Sequence, residues 1–190
     1  GTKINKSKFS ERLGEIQCCI NACIHVSDSS TVRVTTKNFY LFSDFHNFIE
    51  NEYNTTNLSH DGIIFMPESL PVISGTQYSM FKWKPKDLHT FDFLIKENEP
   101  DLDVFVFNMG KIIPFAKVMS NTDHGSTFIE GARKLPDYKN DCILECSFLE
   151  NNFNPVMVRT DKTHSNSLRT VERTLFNINE GITIQDFQNM

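Results

Sequence analysis

The strongest constraint on this chain's fold lies in its second half, where short apolar runs alternate with turn residues at an even spacing. "VFVFNMGK" (104–111), "IIPFAKVMS" (112–120), "STFIEG" (126–131), "DCILECSFLE" (141–150) and "PVMVRTDK" (155–162) are rich in β-branched and aromatic residues and are separated by Gly, Asn and Asp. Runs of this length and spacing read as short strands, and about five of them with polar turns predict a small β-barrel. The tail, "SLRTVERTLFNINEGITIQDF" (167–187), reads as a helix stopped near Gly181, followed by a short segment.

The first half is mixed. Phe9, Leu13, Ile16, Ile20, Cys23 and Ile24 recur at helical spacing over 8–26, with Ser7 or Ser10 as cap. "DSSTVRVTTKNFYLF" (28–42) reads as a turn and a β-branched strand, and "SDFHNFIENEY" (43–53) as a second helix capped by Ser43. "DGIIFMP" (61–67) and "SMFKWKP" (79–85) read as two paired strands, with "TFDFLIKE" (90–97) as a further strand. Acidic, proline-bearing "ENEPDLD" (97–103) is the natural linker. The expected class is therefore α+β: a sheet domain over 1–96, then a barrel over 97–190 with a helical return. An OB-fold is the barrel that five short strands fit best.

At 190 residues, 39% apolar and 12% aromatic, the chain is long enough for a packed core. A net charge of −5 argues against coating nucleic acid wholesale, though a local basic cleft remains open. Five cysteines at C-C-x3-C and C-x3-C spacing fit no zinc motif, and with no signal peptide they read as reduced core thiols of a cytoplasmic protein. No apolar run reaches the roughly 18 residues of a membrane span. There is no P-loop, no H-x3-H pair and no nucleophile elbow.

Four groups of residues have chemical potential. Lys82 and Lys84 sit at i and i+2, which in a strand is one face. They are either a charged sheet edge or a two-ammonium clamp on phosphate. Asp61 opens the apolar "DGIIF", as a turn residue or as a carboxylate for Mg²⁺ or a lysine. Arg159, Asp161 and Lys162 lie where a strand gives way to the polar "VRTDKTHSN", a mixed-charge loop or a di- or triphosphate grip. Lys37 and Phe39 share a strand face in this reading, as ordinary surface and core or as a base-stacking pair.

Taken in order, K-x-F, D-G-I-I-F, F-K-W-K-P and R-x-D-K-x-x-x-N resemble the GTP:RNA guanylyltransferases of mRNA capping, members of the covalent nucleotidyltransferase superfamily that also holds the DNA ligases. The resemblance runs along nearly the whole chain. "KWKP" is its most specific piece, because ligases usually carry a plain K-x-K there. The style resembles the capping enzymes of large DNA viruses. One departure matters: the family's K-x-D-G, which supplies the nucleophilic lysine, does not occur here, where "HDGII" has Asp-Gly alone. The resemblance is thus to the C-terminal part of such an enzyme.

The resemblance implies attack by a lysine amine on the GTP α-phosphorus, loss of pyrophosphate, and transfer of GMP from lysine to the 5′-diphosphate end of RNA. Lys82, Lys84 and Asp61 would be catalytic, with Asp61 holding Mg²⁺ or Mn²⁺. Phe39 would stack on guanine beside Lys37. Arg159 and Lys162 would grip the β- and γ-phosphates, oriented by Asp161. The implied partners are GTP, 5′-diphosphate RNA and the remainder of a capping enzyme, triphosphatase and methyltransferase modules included. A viral factory or a virion is the implied setting within the cytoplasm. Two other readings stay open: an ATP-dependent ligase-type nucleotidyltransferase, and a non-catalytic OB-type platform for single-stranded RNA.

Overall fold

The computed structural model describes residues 6–24, 34–57 and 59–190. Two compact units emerge, Gly1–Trp83 and Lys84–Met190.

In the first unit, α1 (Phe9–Ile24) follows the predicted apolar spacing. Arg12 is buried beside Phe9, but Ile16 is 47% exposed and Cys18, Cys19 and Cys23 are all exposed. The core-thiol expectation therefore fails on α1 and holds for Cys142 and Cys146, which are buried. The expected strand at 28–42 lies partly outside the described residues. Its described part, from Val34 on, is irregular up to Leu41, where polar Thr36, Lys37 and Asn38 break the period-two pattern. The second predicted helix is present in three joined pieces: a 3₁₀ turn (Phe42–Asp44), α2 (Phe45–Phe48) and a π turn (Ile49–Tyr53). Ser43 lies inside the 3₁₀ turn and caps nothing, while Phe45 and Ile49 are buried in the core and Phe48 is half-buried. β1 (Ile63–Phe65) and β2 (Phe81–Trp83) pair antiparallel, with Ile64 opposite Lys82.

The second unit holds a five-stranded antiparallel sheet of β3 (Thr90–Asn98), β4 (Asp101–Asn108), β5 (Lys111–Val118), β6 (Cys142–Leu149) and β7 (Asn152–Val158), ordered β5-β4-β3-β6-β7. The α3 helix (Asp123–Arg133) joins β5 to β6 and packs against β5 and β7, the two edges of the sheet. A partly open five-stranded barrel with a helix at this point is OB-like.

Two expectations are corrected here. "STFIEG" is helix and not strand: Thr122 caps α3 by accepting from the Gly125 N–H, and Phe128, Ile129 and Ala132 form its buried stripe. Residues 97–103 are the β3–β4 hairpin and not a linker, since Asn98 pairs with Asp101. "TFDFLIKE" thus belongs to the barrel, and the division between units falls after Trp83 rather than after residue 96.

The core contains Phe91, Phe93, Ile95, Leu102, Val106, Leu144 and Cys146, capped by Phe128 of α3 and Val171 of α4 (Leu168–Glu180). Ser167 caps α4 at its start and Gly181, at φ 63°, ends it in the left-handed region, as predicted. A short α5 (Ile184–Gln188) follows. Among the described residues no helix is long and apolar enough to cross a membrane.

Candidate functional site

The candidate residues fall into two groups, one in each unit. In the first, strand alternation sends Trp83 into packing at 7% exposure and leaves Lys82 half-exposed on the other face. The Lys82 ammonium lies 3.3 Å from an Asp61 carboxylate oxygen, with side-chain exposures of 50% and 69%. A pair this open contributes roughly 0–1 kcal/mol to stability, so its consequence is to locate the ammonium. β2 stops at Trp83, before Pro85, which has no N–H for a ladder. The shared strand face expected for Lys82 and Lys84 therefore does not form, and Lys84 opens the second unit beside His89. Burial first, and then the Lys84 charge, push the His89 pKa below the ordinary imidazole range.

Lys37 and Phe39 also share no strand face, because their segment is irregular. It is hitched to α1 instead. The Thr36 hydroxyl donates to the Gln17 side-chain amide oxygen at 2.8 Å, and the Phe39 ring meets Phe9 edge-on at 4.6 Å. Phe39 is nevertheless 44% exposed and Lys37 is exposed, so both remain accessible to a ligand.

The second group forms where β7 ends. The Arg159 N–H continues the ladder by donating to the Ile143 carbonyl at 2.8 Å. Its guanidinium forks onto Asp161, Nε to Oδ1 and Nη2 to Oδ2, both at 2.8 Å. Its Nη1 reaches Glu145 at 3.1 Å and Asp92 at 3.4 Å. The Lys162 ammonium bonds to the other Asp92 oxygen. The Asp161 fork, followed by the Asp92 charge, outweighs burial and raises the Arg159 pKa. In return the Arg159 fork holds the Asp161 carboxyl down at about 2.

Asp92 and Glu145 were not singled out by sequence reasoning, and Asn166 entered it only as the last letter of R-x-D-K-x-x-x-N. Asp92 is buried in β3 and stands directly opposite Glu145 of β6. Two like charges in cross-strand register repel, and a buried carboxylate needs a partner. Arg159 and Lys162 provide the opposing charge. Asn166 then ties the loop down: its side-chain carbonyl accepts from the Asp92 N–H at 3.0 Å, and its own N–H donates to the Asp92 carbonyl at 2.7 Å. Its carbonyl also accepts from the Phe107 N–H of β4 at 3.0 Å. The available signal was Asp92 itself, a lone carboxylate inside the apolar "TFDFLI".

The arrangement can hold polyphosphate by exchange, with ligand oxygens replacing carboxylates on Arg159 and Lys162. Among the described residues no group of three or more His, Cys, Asp or Glu forms a metal cage. Mg²⁺ typically takes one or two carboxylates and fills its shell with phosphate and water, and Asp61 offers one exposed carboxylate.

Residues 1–86 match the family model described as mRNA capping enzyme, catalytic domain, and residues 79–188 match mRNA capping enzyme, C-terminal domain. The overlap of the two matches contains the division after Trp83. The chain is similar to the mRNA-capping enzyme subunit alpha of Schizosaccharomyces pombe, 28% identical over 138 residues, covering 67% of this chain and 34% of that protein. It is also similar to the mRNA-capping enzyme of Caenorhabditis elegans, 29% identical over 121 residues, covering 60% of this chain and 19% of that protein. It thus spans about a third or less of the curated relatives it matches. With the C-terminal domain matched over 79–188 and the catalytic domain over 1–86, the chain belongs to the mRNA capping enzyme family.

Proposed function

We propose that this chain is part of an mRNA guanylyltransferase, which moves GMP from GTP through a lysyl-GMP intermediate to the 5′-diphosphate end of RNA. The observation that carries the reading is the unbroken succession of the two capping-enzyme matches along the chain. The Asp92-anchored Arg159 and Lys162, on a separate unit from Lys82, add physical support.

In this reading Phe39 stacks on guanine and Lys37 meets the ribose or phosphate. Lys82, located by Asp61, and Lys84 neutralise the α-phosphate as the transition state forms, and lower the pKa of the attacking amine. Asp61 contributes one carboxylate to Mg²⁺, which would supply charge neutralisation on the phosphates. Arg159 and Lys162 take the β- and γ-phosphates and align the leaving pyrophosphate, while Asp161 yields its fork to them. The nucleophile itself comes from a K-x-D-G segment that the 190 residues do not contain.

Incubation with α-labelled GTP and Mg²⁺ tests the reading. The 190-residue chain should give no covalent adduct, and the chain fused behind a K-x-D-G-bearing nucleotidyltransferase segment should be labelled by GTP and not by ATP. Label on the 190-residue chain alone, or an ATP preference in the fusion, would contradict it.

A further inference from the structure

The second unit holds a cleft of about 770 Å³ beside the Arg159 loop, walled by Arg159, Thr160 and residues 162–165 and floored by the sheet. That volume lies in the range of pockets built for nucleotide-sized ligands, about 300–1,000 Å³. Its lining has two characters. The floor is apolar, with Val158, Ile112 and the half-buried ring of Phe107. Ile112 stands opposite Phe107 across the β4–β5 ladder. The rim is charged: Lys96, Lys139, Arg159 and Lys162 outnumber the two carboxylates in the lining, Asp137 and Asp141, with His164 beside them.

These features select a ligand. Inorganic pyrophosphate would use the rim and gain nothing from the floor. A purely apolar ligand would leave the rim unused. A nucleotide uses both, its base on an aromatic and aliphatic platform and its phosphates on ammonium groups. The Phe107 and His164 rings already meet edge-on at 5.5 Å, side by side in the lining. Lys96 is paired with Asp141 at 3.2 Å, but Lys139 is exposed and has no carboxylate partner among the described residues. The cleft is preformed, because Asn166 pins its wall to both β3 and β4.

We infer that this cleft receives the 5′-terminal nucleotide of the diphosphate-ended RNA acceptor. The inference rests on the guanylyltransferase reading, which already assigns the guanine of GTP to Phe39 in the other unit. The second base-bearing, anionic substrate of that reaction is the RNA end.

The test measures fluorescence anisotropy of the 190-residue chain with a 3′-labelled hexaribonucleotide carrying a 5′-diphosphate or a 5′-hydroxyl. The diphosphate form should bind about tenfold more tightly, with the advantage shrinking as salt rises. Lys139→Glu and Ile112→Glu, both at exposed positions, should each weaken it about tenfold while thermal unfolding stays unchanged. Adenosine 5′-diphosphate should compete better than pyrophosphate. Equal binding of the two RNA forms, wild-type binding by both folded variants, or competition by pyrophosphate equal to that by adenosine 5′-diphosphate would overturn the inference. GTP labelling of the lysine-bearing fusion separates the two proposals. Labelling that persists while the cleft variants bind RNA normally sinks the cleft alone; RNA binding as expected with no labelling sinks the guanylyltransferase reading and leaves a nucleotide cleft.

Discussion

At the scale of single residues, the organising fact is a repulsion. Asp92 and Glu145 face each other across β3 and β6, and Asp92 is buried. Without a cation this register would be destabilising, so the loop after β7 is held by the need to neutralise it. Asp92→Ala should cost about 3 kcal/mol in urea unfolding, in the range for breaking a buried ion pair. The Asp161 carboxyl offers a second check, by carbon NMR. Its pKa is depressed by Arg159, so its pairing is complete above the ordinary carboxylate range and is lost only as pH falls through about 2. Arg159→Ala should raise the midpoint toward the ordinary carboxylate range, and an unchanged midpoint would refute the fork. Arg159, Asp161 and Lys162 were legible because their letters cluster in one loop. Asp92 and Glu145 were not, because strand register sets them opposite each other and spacing along the chain does not reveal register.

At the scale of elements, α3 shows where local pattern misled. Ser126, Thr127, Phe128 and Ile129 favour a strand by composition, yet the Thr122 cap and the stripe of Phe128, Ile129 and Ala132 make a helix. Gly125 makes the tight entry possible, since a Cβ there would lie 2.0 Å from the Met119 carbonyl oxygen. Gly125→Ala should therefore lower stability by about 2 kcal/mol or more through forced backbone shift, read by thermal unfolding. α3 is also pinned to β3. Arg133 and Tyr138 both donate to the Glu97 carboxylate, at 2.5–3.2 Å and 2.7 Å, and the Arg133 bonds hold its pKa below the ordinary range. A depressed carboxyl stabilises the fold above its unfolded pKa and loses that contribution as pH falls through the folded one. Glu97→Gln should thus reduce the melting temperature at pH 7 and make little difference near pH 2; an equal reduction at both would show that charge is not the cause. The β3–β4 hairpin was misread as a linker because "ENEPDLD" has linker composition, and its pairing continues in apolar residues outside that stretch, where Leu94 and Ile95 of β3 stand opposite Phe105 and Val104 of β4.

At the scale of the whole molecule, the two units are unequal. The first buries Phe45, Ile49, Ile63, Leu70 and Trp83 among its described residues, while Leu41 and Tyr78 stay 77% and 87% exposed. The second has a continuous core on five strands and two helices. Apolar burial is the main favourable term in folding, so the first unit should unfold at lower urea. Trp83 is the sole tryptophan and is buried in that unit, so its fluorescence midpoint should precede the loss of far-UV circular dichroism from the barrel. The order of motifs made the two-unit plan legible, but the boundary was not, because "TFDFLIKE" looks like a strand of either unit.

We have proposed that this chain supplies the phosphate-gripping part of a guanylyltransferase and that the nucleophile comes from a K-x-D-G segment. Covalent labelling with α-labelled GTP and Mg²⁺ tests it most directly, comparing the 190-residue chain, its fusion to a K-x-D-G-bearing segment, and that fusion with Arg159→Ala. Label is expected on the fusion only, with at least tenfold less on the Arg159→Ala form, as follows when transition-state charge stabilisation is removed. Label on the 190-residue chain alone, or an Arg159→Ala fusion labelled as fast as its parent, would contradict it.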